Sequence, residues 1–222
     1  MLLVAAENTA EQGSARVRLT ADIDVELDAP LGGTGTYVVD GEGEIDFPDR
    51  LHQTYTISTT DDTDPILAIE PETSEQIVIG EQSWDRTPGD VWTLDDGESG
   101  GTPLTRTLYR PEATLEVLRS ADGDPVDLGI DTVDGERLRG YWFTVPAELF
   151  PALFEPREGP PGDHTVVVYV SEADQVLRRM IVTSSGTTDD PAALTWRSEF
   201  TIELSDFGTP VAIEPPPAEE VE

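Results

Sequence analysis

Along residues 16–27 the chain alternates almost without fault. Val17, Leu19, Ala21, Ile23, Val25 and Leu27 fall on one side of a period-two pattern, and Arg16, Arg18, Thr20, Asp22, Asp24 and Glu26 on the other. That pattern predicts an antiparallel strand with one apolar and one charged face. Residues 34–47 repeat it, with Tyr37, Val39, Gly41, Gly43, Ile45 and Phe47 opposite Val38, Asp40, Glu42, Glu44 and Asp46. A run of about 13 residues spans roughly 40 Å, more than twice a usual strand. Glycine weakens a strand interior, so Gly41 and Gly43 on the apolar side call for a bend or the close approach of something bulky. A long strand bent at such points makes a gutter.

The same alternation continues downstream. Pro48-Asp49 turns the chain into Leu51, Gln53, Tyr55 and Ile57, and Leu194, Trp196, Ser198, Phe200, Ile202 and Leu204 form a last long strand. Residues 66–69, 75–80, 83–86 and 91–94 read as shorter strands, with Trp84 and Trp92 facing each other across the turn Thr87-Pro88-Gly89-Asp90. Residues 126–133 and 137–145 flank Asp134-Gly135, a strong hairpin signal, and residues 165–171 and 176–183 form a further pair. Three short helices are expected. One covers residues 2–12 and stops at Gly13; one starts at Pro111 and carries Leu115 and Leu118; one starts at Pro146 and carries Leu149, Phe150, Leu153 and Phe154. The expectation is an α+β chain: a curved, long-stranded antiparallel sheet of nine or ten strands with about three short helices on its concave face. Residues 1–214 read as a single domain, and residues 215–222, opening on three prolines, as a flexible acidic tail.

Charge narrows the choice of partners. Forty-six acidic residues face thirteen basic ones, all Arg, for a net charge of −33 in 222 residues. Such a surface repels nucleic acid, and anionic lipid headgroups at moderate salt. The acidity fits a saline habitat as well as a task, because molar salt screens charge beyond about 3 Å. The chain has no Cys, which removes disulfides, thiolate metal sites and a lipidated cysteine. The first residues, Met1-Leu2-Leu3-Val4-Ala5-Ala6, lack the basic start and long apolar core of a signal peptide.

Catalytic chemistry leaves little trace. His52 and His164 have no motif around them, and His52 reads as a surface residue opposite Leu51 and Gln53. No nucleophile elbow, zinc-protease helix, Walker loop or dinucleotide fingerprint is present, and Gly41-Glu42-Gly43 lies within a strand instead of before a helix. Asp61-Asp62-Thr63-Asp64 lacks the ligand spacing and central glycine of a calcium loop. The expectation is a protein that is not an enzyme and holds no metal or cofactor. Its apolar face has two readings: a solid core, or a cavity that three short helices fail to fill. A cavity could hold a 16-carbon chain through apolar burial alone, worth about 12 kcal/mol gross, without any motif.

Several segments, in order, carry a resemblance. They are the opening helix and strand to Leu27, Gly41-Glu42-Gly43-Glu44-Ile45-Asp46-Phe47-Pro48, and Glu75-Gln76-Ile77-Val78-Ile79-Gly80 with Trp84-Asp85-Arg86 and Gly89-Asp90-Val91-Trp92. The closing segment is Leu204-Ser205-Asp206-Phe207-Gly208-Thr209-Pro210-Val211. With these the chain resembles the LolA-like lipoproteins, in particular the LppX/LprA/LprF/LprG group of the actinobacterial cell envelope. The resemblance implies an antiparallel half-barrel with helices in its concave face and an apolar cavity for lipid or lipidated glycan. It also implies an extracytoplasmic location, membrane-associated donors or acceptors, and no catalytic residues; the missing cysteine departs from the family pattern. The corresponding lining here is Val17, Leu19, Ile23, Val39, Ile45, Tyr55, Trp142, Trp196 and Phe200. Gly41 and Gly43 would set the curvature, and Leu149, Phe150, Leu153 and Phe154 would form a movable lid. The expected partner is lipid, carried by a monomer. The rival expectation is a sensor or scaffold module that contacts another protein and moves no lipid.

Overall fold

The computed structural model describes residues 1–28, 32–95, 125–133, 135–145, 164–188 and 194–222, together with Leu115, Leu118 and Arg119. The chain opens with α1 (Leu2–Glu11). Leu2, Ala5, Ala6 and Thr9 recur at helical spacing and are the buried residues of that helix. Gly13, with φ of 77°, ends it by donating to the Ala10 carbonyl. Eleven strands follow: β1 (Ser14–Leu27), β2 (Gly33–Asp46), β3 (Arg50–Thr59), β4 (Glu72–Ile79), β5 (Gln82–Arg86), β6 (Thr93–Asp95), β7 (Val126–Val133), β8 (Glu136–Val145), β9 (His164–Ser171), β10 (Leu177–Thr188) and β11 (Leu194–Ser205).

All eleven strands belong to one sheet, in the order β6-β5-β4-β3-β2-β1-β11-β10-β9-β8-β7, and every named pairing is antiparallel. Two meanders, β1–β6 and β7–β11, are thus joined by the pairing of the first strand with the last. The sheet is open, with β6 and β7 at its edges. The apolar side of β1, β2, β3 and β8–β11, with Val78 of β4, forms a single buried cluster, which α1 enters through Leu2, Ala5 and Ala6 and which Leu115 and Leu118 join. Each buried Val, Leu, Ile or Phe in it stabilises the fold by roughly 1.5–3 kcal/mol. α1 is pinned at one end of the strands. Thr9 Oγ1 bonds the Ala5 carbonyl at 2.6 Å and accepts the Leu177 amide at 3.0 Å, while Asn8 donates to the Asp174 carbonyl at 3.2 Å.

At β4 the sheet changes which side is apolar. On the inner side Gln53 donates to Gln76 at 2.8 Å, and Gln76 donates to Asp85 at 3.0 Å, so polar side chains succeed the apolar cluster there. On the outer side Ile77 and its cross-strand partner Trp84 form a second buried cluster with Trp92 and Ile213. Ile213 comes from the C-terminal segment, which crosses the outer side of β3 to reach β4 and β5. Arg50 donates to the Ile213 carbonyl at 2.9 Å, and the Trp92 amide donates to the Glu220 carbonyl at 2.7 Å. Residues 215–222, expected as a flexible tail, therefore end in a short 3-10 helix (Ala218–Glu220) and a bridge between Val221 and Trp92. The physical reason is the uncovered Ile77–Trp84 pair, which gives the segment something to bury.

Two further expectations are corrected. The described residues contain one complete α-helix, not about three. Leu115, Leu118 and Arg119 of the second expected helix are helical, and the rest of it and the whole third lie outside the described residues. Residues 66–69, read as a strand, form a turn and an irregular stretch. Asp64 ties this loop to β2 instead, its carboxylate accepting the Thr34 amide at 2.6 Å and its own amide donating to the Thr34 carbonyl at 2.9 Å.

Gly43 has no room for a side chain. A Cβ there would sit 2.4 Å from the His52 carbonyl oxygen and 2.7 Å from Gln53 Cβ, whereas one at Gly41 would meet Tyr55 Cβ at 2.9 Å. Gly43→Ala gains about 0.4–1 kcal/mol by restricting the unfolded chain. The clash with backbone, costing about 1–3 kcal/mol, outweighs it. The variant is expected to have a lower urea midpoint than the parent, and an unchanged midpoint would remove the close approach as the reason for glycine. Ile213→Ala should cost about 2 kcal/mol and shift tryptophan emission to the red as Trp84 and Trp92 gain water. Unshifted emission would mean that the C-terminal segment does not cover them.

Candidate functional site

The inner face collects most of the residues singled out in the sequence. Val17, Leu19, Ile23, Val39, Ile45, Tyr55 and Phe200 all lie in the main buried cluster. The register brings them side by side: Leu19 pairs with Gly41 and Ile202, Ala21 with Val39 and Phe200, and Gly41 with Tyr55. Trp196 lies on the same face, half-buried, with its ring against Gly186, where a Cβ would meet it at 3.0 Å. Leu149, Phe150, Leu153 and Phe154 lie outside the described residues.

Trp142 is a correction. It is paired with Val126 and Val167 on the outer side and is exposed, while Tyr141, Phe143 and Val145 face the inner cluster. Three consecutive aromatics, Tyr141-Trp142-Phe143, gave period-two reading no means of choosing between sides. The partners across β8 and β9 decide: Tyr141 pairs with Val168 and Phe143 with Val166, both fully buried. The inner-facing Val166, Val168, Val170, Met180 and Val182 were absent from the expected lining, although the Val166-Val167-Val168 run was visible as a strand.

Burial along the inner face is graded. Near α1, Ala15, Val17, Ile45, Leu51 and Leu177 are closed off from solvent. Toward the opposite end, Val25, Tyr37, Ile57 and Trp196 are only partly buried, although they continue the same stripe. Tyr37 there donates to the Leu67 carbonyl at 3.0 Å. A hollow of about 370 Å³ at this end is bordered mainly by outer-side residues, among them Asp24, Glu26, Thr36 and Arg197, with Val25 and Trp196 at its edge. The apolar stripe is thus sealed at the α1 end and reaches solvent at the other.

No family model and no curated protein sequence matches the chain. Solved structures do. LprF from Mycobacterium bovis aligns over 97% of this chain and 96% of its own, with a TM-score of 0.53 at 13% identity. Lipoprotein LppX from Mycobacterium tuberculosis aligns over 96% and 98%, with a TM-score of 0.51 at 16% identity. The fold is the one seen in LprF and LppX. At such identities the likeness shows the fold alone, and the chain traced here supplies its own side chains to the face.

The charged outer side of the sheet carries its own arrangement. A cleft of about 1040 Å³ lies across it at the α1 end, bordered by Arg18, Glu42, His52, Leu138, Arg178 and Phe207 among others. Its arginines are paired with carboxylates. Arg178 Nε bonds both Glu136 oxygens at 3.0 and 3.1 Å and its Nη2 bonds Asp174 at 2.7 Å, with the guanidinium 4.8 Å above the Phe207 ring. Arg179 bonds Glu203. Burial would raise the Glu136 carboxyl, but bonds from Ser171 and Arg178 hold it below its ordinary value. Glu75 behaves alike: burial pushes it up, and bonds from His52 at 2.8 Å and Arg86 at 2.7 Å bring it down. His52, expected on the surface without a role, is half-buried and hydrogen-bonded to Glu75. Carboxylates outnumber arginines around the cleft.

A depressed folded value means that Glu75 contributes stability fully above its ordinary 4.5, and loses it as pH falls through the lower folded value. Glu75→Gln is expected to lower the urea midpoint at neutral pH, with the gap to the parent closing below about pH 4. A gap independent of pH would show that the charge is not what Glu75 supplies.

Proposed function

We propose that this protein is a non-enzymatic carrier or holder of lipid or lipidated glycan in the cell envelope, binding acyl chains against the inner face of its sheet. The carrying observation is the graded stripe. One buried apolar cluster spans eight strands, is closed by α1 at one end, and emerges at Val25, Tyr37, Ile57 and Trp196 at the other. A core with no further task has no need of such an opening. The fold shared with the lipoprotein LppX supports the reading.

Each element has a part in it. Val17, Leu19, Ile23, Val39, Ile45, Tyr55 and Phe200 offer the wall, Gly41 and Gly43 let β2 and β3 approach closely, and Trp196 stands at the opening. Burial of a 16-carbon chain is worth about 12 kcal/mol gross. Immobilisation takes at least about 4, leaving about 8 kcal/mol, or a Kd near 1 μM. The carrier acts as a single domain and a monomer.

A second reading, a scaffold that contacts another protein and moves no lipid, is favoured by one observation: exposed apolar side chains on β7 and β8, away from the inner face. Native mass spectrometry of protein from a lipid-containing host, with titration of a fluorescent fatty acid, separates the two. The carrier should show adducts of lipid mass and micromolar uptake, and Trp196→Glu should weaken uptake at least about tenfold by placing a charge at the opening. A clean mass without adducts, and no uptake, would leave the scaffold.

A further inference from the structure

The outer face of the second meander is unlike the rest of the surface. The register of β8, β9 and β10 sets Thr144, Thr165 and Thr183 in one cross-strand row, and Trp142, Val167 and Ile181 in the next, with Val126 joining from β7. The third row pairs Gly140 with Tyr169 and is bounded on β10 by Arg179, which bonds Glu203; Leu128 lies over Gly140, 3.2 Å from where a Cβ would stand. None of the ten positions inside that boundary carries a charge, in a chain where 46 of 222 residues are acidic. Continued onto β11, β1 and β2, the first row runs through Glu199, Asp22 and Val38 and the second through Thr201, Thr20 and Asp40, so acidic residues border the patch. Within the patch Val126 is 51% exposed, Leu128 53% and Trp142 38%.

We propose that this charge-free face, centred on Trp142, docks the protein onto a zwitterionic lipid surface. Three features favour lipid over a second protein chain. The exposed apolar area is on the order of 400 Å², about half of what each side of a stable protein interface buries. Two copies would bring together chains of −33 each, whereas a zwitterionic surface presents no net charge to oppose. Trp and Tyr, apolar in body and polar at the tip, suit the boundary between headgroup and acyl chain.

Strand addition at the neighbouring edge is also blocked. The Gly129 amide of β7 bonds Asp127 Oδ1 at 2.8 Å, and the Thr132 amide bonds Asp131 Oδ1 at 2.7 Å, so these donors are already held by side chains of their own strand. A register shift between Asp127 and Gly129 further breaks the edge. The bare patch also contrasts with the one on β4 and β5, which the chain covers with its own C-terminal segment.

The proposal extends the lipid-carrier reading, and because the patch is on the opposite side of the sheet from the inner face the two are separable. The test is flotation of the full chain with phosphatidylcholine vesicles, beside fatty-acid uptake by the same samples. The parent should float with the vesicles, with Trp emission shifting to the blue. Admixed phosphatidylglycerol should weaken binding at low salt. Leu128→Ser with Trp142→Ser should lower vesicle binding about tenfold while uptake and the urea midpoint stay as in the parent. Should that variant unfold, the milder Trp142→Thr, matching its Thr144 neighbour, carries the comparison. Failure of the parent to float, or equal flotation of the variants, overturns the docking face whatever uptake shows. So does a parent that sediments as a dimer which the variants dissolve, since the face would then be an interface between copies. Flotation without uptake would retain the docking face and remove the carrier.

Discussion

One seam holds the molecule together. β1 pairs with β11 from Arg16 against Ser205 to Leu27 against Leu194, and on its other side with β2 from Ser14 against Asp46 to Leu27 against Gly33. Every second residue of β1 is apolar, so a slip of one position against either neighbour would carry Val17, Leu19 and Ile23 into water and drive Arg18, Asp22 and Asp24 among buried side chains. An unpaired buried charge costs far more than a ladder hydrogen bond returns. The register is therefore set by which side chains tolerate the interior, and the two meanders have their relative placement from that choice alone.

Much of this was legible where charge and hydrocarbon alternate strictly. Residues 16–27 and 194–204 named their inner sides correctly because each outer neighbour is polar. Legibility failed where that contrast was missing. Tyr141-Trp142-Phe143 offered aromatics to both sides, and the Val166-Val167-Val168 run offered valines to both. Gln53 and Gln76 satisfy each other across β3 and β4, so a polar pair occupies positions that a hydropathy pattern assigns to hydrocarbon or to water. The C-terminal segment looked frayed because its proline run has no periodicity, and only the folded sheet shows Ile77 and Trp84 waiting for Ile213. Arg178 faces the outer cleft next to Leu177 in the core because β10 shifts register between Leu177 and Arg179, a local irregularity without a residue signature.

The change of sides at β4 relates the two edges of the sheet. From β1 to β3 the outer side is charged and the inner side apolar; at β4 Val78 still joins the inner cluster, but an amide–carboxylate chain begins beside it and hydrocarbon gathers outside. A sheet that kept one polarity throughout would need inner cover across its whole width. Here the first meander ends under a strap of its own chain, while the second ends at β7 with apolar side chains in the open. The two ends of one sheet are thus finished by different means.

The seam between the first and last strands has a kinetic side. It joins positions far apart in the sequence, so the hydrocarbon side of β1, β2 and β3 stays without its β11 neighbour until that distant strand has been made. Contacts this remote in sequence form slowly, and a partly assembled meander with a bare oily flank is prone to clumping. A surplus of negative charge spread over the nascent chain opposes such encounters through mutual repulsion. The acidity that reads as a property of the finished surface thus serves during assembly as well, keeping half-built copies apart until the final strand arrives.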